Sequence, residues 1–268
     1  SILKGYKMTK TKKNILNELF ESKNEHTENA LEINKEEFIK TIKSRRSVRV
    51  FNNEPVLESD MRECLELTIL APNSSNLQPW EFYWVRSKNK KEKLISYCLN
   101  QPAASTAQEL VVAVARPDFW KTNQKRMLEL FDEMGEKAPK SAIKYYSKIV
   151  PLAYKQGIFS LRGFLKKIAI EIRGIKKPTP REPYNKTGMA IWAHKSTALA
   201  CENLMLSLRA FGYDSCPMEG MDSKRIKNLL GLTSPAEISM VISAGKRAEN
   251  GVYGKQFRFN KNYFIHEI

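Results

Sequence analysis

Ala71-Pro72-Asn73-Ser74-Ser75-Asn76-Leu77-Gln78-Pro79-Trp80 is a polar stretch bounded by prolines, unsuited to a helix interior or a central strand. Proline lacks the N–H that a helix or a ladder requires. Asn73, Ser74, Ser75, Asn76 and Gln78 crowd amides and hydroxyls between the two prolines. Such a loop can pair with the carbonyls and ring nitrogens of a heterocycle, or it can be a plain surface turn. Trp80, beside an expected strand, reads as core. Upstream, Arg45-Arg46-Ser47-Val48-Arg49-Val50-Phe51 offers three cations and a hydroxyl at the expected exit of a helix. Guanidinium groups bind phosphate through charge-assisted, bidentate bonds, and Ser47 adds a donor. The alternative is a solvated basic patch at a helix C-terminus. Downstream, Pro217-Met218-Glu219-Gly220 follows an expected strand. Its glycine permits close approach of the backbone to a ligand, or simply makes a turn before a helix near Asp222.

Around these blocks the pattern alternates irregularly between helix and strand. Asn34 and Glu37 have capping-box spacing ahead of Phe38, Ile39 and Ile42, so a helix should deliver the chain to Arg45. A second helix is expected over Glu58 to Leu70, stopped by Pro72. Glu81 to Arg86 and Leu110 to Ala115 read as strands, with a helix over Lys91 to Leu99 between them. After Pro117 a lysine-rich helical stretch runs to Gly174, with breaks expected near Pro139 and Pro151, then a Pro-rich turn over Lys177 to Pro183. A long helix marked by Trp192, Leu204 and Phe211 should end at Gly212. Strands return at Tyr213 to Cys216 and Ile238 to Ala244. Repeated strand–helix–strand units are missing, which points to an α+β sandwich and not a doubly wound sheet. Residues 1–33 read as an arm with one short helix around Asn14 to Phe20, and 34–268 as one domain carrying a basic helical insert at about 118–183.

The chain has 268 residues, 42% of them hydrophobic, and a net charge of +16. Residues 118–182 hold 15 cations and 7 anions, half of that excess. Such a balance attracts polyanions, anionic lipid or phosphorylated small molecules. Neither a secretory h-region nor an apolar run long enough to span a bilayer is present, so a cytoplasmic location is expected. Cys64, Cys98, Cys201 and Cys216 are far apart and read as core residues. His26, His194 and His266 form no metal motif, and no metal is expected. A Gly-x-Ser-x-Gly elbow is lacking. So are both glycine-rich phosphate loops, and a bound phosphate would have to rely on cationic side chains. Near the end, Lys255, Arg258 and Lys261 interleave with Phe257, Phe259, Tyr263 and Phe264, a pattern that also fits an edge strand guarded by lysines.

Taken in order, Arg45-Arg46-Ser47, Pro72 to Trp80, Gly212 to Gly220 and Tyr253 to Phe259 resemble the signature of the FMN-dependent nitroreductases. The resemblance covers the chain from about Phe38 onward, apart from Asp118 to Pro183. It implies an α+β fold with a central, mostly antiparallel sheet flanked by helices. It also implies an intertwined homodimer, with FMN at the subunit interface and the C-terminal segment adding a strand to the partner's sheet. Arg45, Ser47 and Arg258 would hold the FMN phosphate, with Arg46 and Lys255 nearby. Arg49 would stand where a cation stabilises the anionic reduced flavin. Pro72, Asn73, Ser74 and Asn76 would line the isoalloxazine, and Asn76 equally suits the ribityl chain. Pro217, Met218, Glu219 and Gly220 would form the turn whose Glu219 and Gly220 N–H groups face N5 and O4. Asn100 or Gln101 would reach the pyrimidine edge. Gln256 stands where many relatives carry a second phosphate-binding cation, so either Lys255 or Lys261 substitutes for it or the grip on the phosphate is weaker.

Three readings follow. In the first, NAD(P)H reduces FMN, which passes electrons to an electron-poor small molecule such as a nitroaromatic or quinone. In the second, the same fold performs one specific redox step on one metabolite, with the insert choosing the substrate. In the third, the protein is a basic module for polyanions or an anionic membrane surface. Phe159, Leu161, Phe164, Leu165, Ile168, Ile172 and Ile175, interspersed with Arg162, Lys166, Lys167, Arg173 and Lys176, make a basic amphipathic pattern. Its plain alternative is a lid helix packed on the core. Nucleic acid is not expected as a partner, because the cations are dispersed and no reader motif occurs.

Overall fold

A computed structural model of the chain describes residues 27–156 and 161–268, and for 161–166 the backbone alone. The helix expected at Asn14 to Phe20, along with His26 and Phe159, lies outside the described residues. Strands β1 (Trp80–Trp84), β2 (Glu109–Ala115), β3 (Asp214–Met218) and β4 (Glu237–Gly245) form one antiparallel sheet in the order β1-β2-β4-β3. Helices α1 (Lys35–Ser44) and α2 (Glu58–Thr68) precede β1 in the chain, and α3 (Lys88–Tyr97) and α4 (Pro102–Ser105) lead from it to β2. Between β2 and β3 come α5 (Phe119–Met134), α6 (Lys140–Lys144), α7 (Val150–Tyr154), α8 (Leu161–Lys176) and the long α9 (Lys186–Ala210). Helix α10 (Ser223–Leu229) leads into β4. The α+β sandwich expected from the pattern is therefore the fold observed.

Strand β2 explains the layers. Its residues Leu110 through Ala115 are fully buried, as the apolar run predicts. Side chains alternate across a strand. Val111 and Ala113 accordingly pack with Leu204 and Leu208 of α9, while Leu110, Val112 and Val114 pack with Leu94 of α3 and Ile226 of α10. A third cluster gathers Phe131, Tyr146, Val150 and Tyr154 against Trp192 of α9 and Leu77 of the polar loop. Arg116 anchors the start of this helical region. It pairs with Asp118 at 2.6 Å and with Glu81 of β1, and both carboxylates raise its pKa further.

Helix ends follow local chemistry. Asn34 Oδ1 accepts from the N–H groups of Glu36 and Glu37, so the N-cap forms. Glu37 turns to Lys40 at 2.7 Å. Gly212, at φ +84°, closes α9 in a conformation that costs a Cβ-bearing residue about 1–2 kcal/mol. The four cysteines are buried, as expected, and burial pushes Cys64 and Cys201 up to about 12 and Cys98 up to about 11. No described helix is long and apolar enough to cross a membrane.

Two local expectations are corrected. Pro139 does interrupt the helical stretch, but Pro151 does not. Residues 140–154 continue through a π-helical turn, Tyr145–Ile149, in which Val150 N–H reaches Tyr145 O. Pro151 then falls in the first turn of α7, where its missing N–H costs nothing. Nor does the terminal segment form an edge strand within one chain. Beyond Val252 it is exposed and irregular, with one 3₁₀ turn at Lys261–Tyr263.

Candidate functional site

Helix α1 ends at Arg45, and the next residues thread between β3 and the chain after β4. Val48 N–H donates to Ser215 O at 3.1 Å, and Ser47 and Ser215 form a parallel bridge. On the other side Arg49 N–H donates to Gly251 O at 2.6 Å, and Ala248 N–H donates to Val50 O at 3.1 Å. Val48 is fully buried in this lane, so its neighbours in sequence point the other way, into a cavity. Gly251 is required for the close approach. A Cβ there would stand 2.6 Å from Val50 O and 2.9 Å from Ala248 O. Gly251→Ala should therefore destabilise the fold by about 1–3 kcal/mol, read as a lower urea midpoint, because the two walls must part.

The cavity holds about 340 Å³, with Arg45, Arg46, Ser47 and Arg49 on one wall and Val252 to Arg258 on the other. Arg46 Nη2 donates to Gly254 O at 2.6 Å and ties the walls together. Five cations, Arg45, Arg46, Arg49, Lys255 and Arg258, thus border one space, and none of its lining residues is acidic. Glu202 approaches Arg45 Nε at 4.0 Å. Their field reaches β3: burial pushes the Cys216 thiol up, while Arg49 and Arg45 oppose that shift. Cations held together without lining carboxylates suit a multiply charged oxyanion, and the guanidiniums and Ser47 offer the matching donors.

The polar loop is held elsewhere. Ser75, Asn76 and Gln78 all have positive φ, a conformation that only a few per cent of non-glycine residues adopt. Its supports come from the helical region. Tyr145 and Tyr154 hydroxyls lie 2.6 and 3.0 Å from Ser75 Oγ, Tyr154 also meets Ser74 Oγ at 3.1 Å, and Tyr146 OH donates to Ser75 O at 2.7 Å. Asn123 Nδ2 donates to Leu77 O at 2.7 Å. Asn73 works inside the loop, its Oδ1 accepting from Gln78 N–H at 2.7 Å and its Nδ2 donating to Ala71 O at 3.3 Å. Asn76 and Gln78 face a second cavity of about 420 Å³ along β1, with Trp80, Phe82 and Arg126. Trp80 is buried, as expected of a core residue.

At the far end of β3, Pro217 and Met218 complete the strand and Glu219 and Gly220 leave it. Gln101 Nε2 donates to Gly220 O at 3.1 Å and to Cys98 O at 3.0 Å, so this amide fixes the 217–220 turn. A Cβ on Gly220 would meet nothing within 4 Å, and open space borders the backbone. Glu219 lines a third cavity with His194. His194 Nε2 lies 2.8 Å from Glu237 Oε2 and its Nδ1 3.2 Å from Ser239 Oγ.

One chain therefore brings together Arg45, Arg46, Ser47, Arg49, Lys255 and Arg258, from opposite ends of the sequence. Pro72, Asn73, Ser74 and Asn76 belong to the separate clamped loop, and Gln101 to Gly220 makes a third group. Sequence reasoning missed the three clamping tyrosines, Asn123 and the His194 contacts. Each joins residues 43 to 80 positions apart, which no local spacing signals.

The sequence pattern described as Nitroreductase family matches residues 42–246. The NADH dehydrogenase of Thermus thermophilus is 28% identical over 207 residues, 77% of this chain and 85% of its own length. DrgA of Synechocystis is 27% identical over 210 residues, covering 78% and 83% respectively. A protein of Exiguobacterium sibiricum, crystallised in complex with FMN, shares the fold with a TM-score of 0.63 at 22% identity, spanning 91% of this chain and 100% of its own.

Proposed function

The chain belongs to the nitroreductase family, and on that premise we propose that it is an FMN-dependent NAD(P)H oxidoreductase acting on an electron-poor small molecule of the nitroaromatic or quinone class. The observation that carries this reading is the acid-free cavity where Arg45, Ser47 and Arg258 converge. Bound FMN would supply the redox chemistry, accepting hydride from NAD(P)H and releasing it to the acceptor. Arg45, Ser47 and Arg258 hold its phosphate, and Arg46 and Lys255 add charge around it. Arg49 places a fixed cation where negative charge grows on reduction, which favours the reduced state. Glu219 and Gly220 would present backbone N–H groups to the FMN from a turn that Gln101 keeps in place. Pro72, Asn73, Ser74 and Asn76 contribute a rigid polar wall, held by the tyrosine hydroxyls.

These parts complete one another in a homodimer. Two observations support that arrangement: the wall, the turn and the cation cavity are separate within one chain, and β1 is an edge strand of the sheet among the described residues. The tail after Val252 exposes Tyr253, Phe257, Phe259, Tyr263 and Phe264, an apolar set suited to a partner's sheet edge. We place the protein in the cytoplasm and read 34–268 as one domain with 118–183 as its insert. Selectivity for one metabolite is the second reading, favoured by the grip of Tyr145, Tyr146 and Tyr154 on the wall.

Titrating the purified protein with FMN and then adding NADH or NADPH without oxygen tests the proposal. Saturable binding followed by bleaching of the yellow absorbance is expected. A protein that cannot be loaded with FMN, or whose bound FMN neither nucleotide bleaches, would refute it. Turnover of nitroaromatics and quinones against a metabolite panel then separates the two readings.

A further inference from the structure

Helix α8 turns an apolar side to solvent. Ile168, Ile172 and Ile175 are 41%, 64% and 82% exposed, and their spacing of four and three residues places them on one stripe. A surface helix ordinarily buries such a stripe. Another side of the helix borders a groove. Ala169, Ile170 and Arg173 border an apolar groove shared with Leu152, Thr179 and Pro180, while Gly174 faces the Arg181 guanidinium. The packed lid helix considered from the sequence is therefore not what these three isoleucines form. Of Leu161, Arg162, Phe164, Leu165 and Lys166 in the same pattern, only the helical backbone is described.

Charge indicates what covers the stripe. Exposed Lys167 and Lys176 flank it on either side, and exposed Arg173 and Lys177 lie behind it. The single carboxylate of the helix, Glu171, is paired with Arg181 at 2.5 Å. The wider region, 118–182, carries 15 cations against 7 anions. A row of isoleucines bordered by lysines matches a surface that is apolar within and negatively charged outside. We propose that α8 is an interfacial helix that lays Ile168, Ile172 and Ile175 into an anionic lipid bilayer, with its lysines among the headgroup phosphates. Membrane attachment of this kind is independent of the flavin chemistry.

Co-sedimentation of the full chain with phosphatidylcholine vesicles, with and without phosphatidylglycerol, tests the proposal. The protein should pellet with phosphatidylglycerol vesicles at low salt, stay in solution with phosphatidylcholine alone, and be released at high salt. Ile172→Glu with Ile175→Glu should lower partitioning about tenfold or more, because two buried apolar side chains are lost from the bilayer. Lys167→Glu with Lys176→Glu should weaken it as well, and decides the matter if the isoleucine variant does not fold by circular dichroism. Absence of low-salt binding by the unaltered chain would overturn the proposal. So would undiminished binding by the folded variants, which would assign attachment to the general basicity of the surface. A change in the variant's molar mass by light scattering would overturn it too, making the stripe a contact between copies of the chain.

Discussion

Arg45→Ala and Arg258→Ala should each weaken FMN binding about ten- to hundredfold, read by quenching of flavin fluorescence on titration. The size follows from about 1.5–3 kcal/mol for one hydrogen bond to a charged group, the cavity's other cations being left in place. Arg45→Lys should recover part of the loss, because an ammonium keeps the charge without the two-pronged geometry. Raising salt should weaken the unaltered protein less than it weakens the lysine variant, since a bidentate pair depends less on long-range charge. Both alanine variants should keep the parent urea midpoint to within about 1 kcal/mol, as expected of partly exposed surface positions. If FMN affinity is unchanged in both, the cavity is not the phosphate site, and the assignment built on it fails.

Asp214→Ala is the substitution expected to cost most stability. Asp214 is 4% exposed at the start of β3, and its carboxylate joins Arg209 at 2.7 Å and Arg247 at 2.6 and 2.7 Å. Arg247 in turn reaches Ser44 O at 3.4 Å, which connects the ion pair to the end of α1 and hence to Arg45. Asp214 also holds the Arg247 pKa above its ordinary value. Removing the acid strands two cations against a buried strand end, a loss of about 3–5 kcal/mol. Urea unfolding should show a lower midpoint with an unchanged slope, because the surface exposed on unfolding does not change. FMN affinity should fall in the same variant, through displaced Arg45 and Ser47. A shift below about 1 kcal/mol would mean that water replaces the acid at little cost and that the ion pair is dispensable.

What could be read locally was read well. The N-cap at Asn34, the stop at Gly212, the buried run in β2 and the strand after Tyr213 all rest on interactions within a few residues. The arginine block was legible as a cluster of cations, and the structure sets it along one cavity. Pro151 was misread because a π-helical turn some residues earlier removed the conflict that proline ordinarily creates. The tyrosine clamp was invisible for a different reason. Tyrosines at 145, 146 and 154 in a lysine-rich helical stretch look like any half-buried face, and their hydroxyls acquire a role only when that stretch folds over Ser74 and Ser75.

The amino-acid sequence by itself determined the α+β class, the N-cap of α1 and the glycine stop of α9, the cysteine core and the clustering of cations after α1, since each follows from side-chain type and short-range spacing. Tertiary structure alone decided that Arg258 and Arg45 of one chain border the same cavity, that Gly251 must be glycine, that Asp214 sits between two arginines, and that the isoleucines of α8 face outward. Periodicity says which side of an element is apolar. Which neighbour covers that side, and which charges end up sharing one cavity, depends on contacts between residues far apart in the chain.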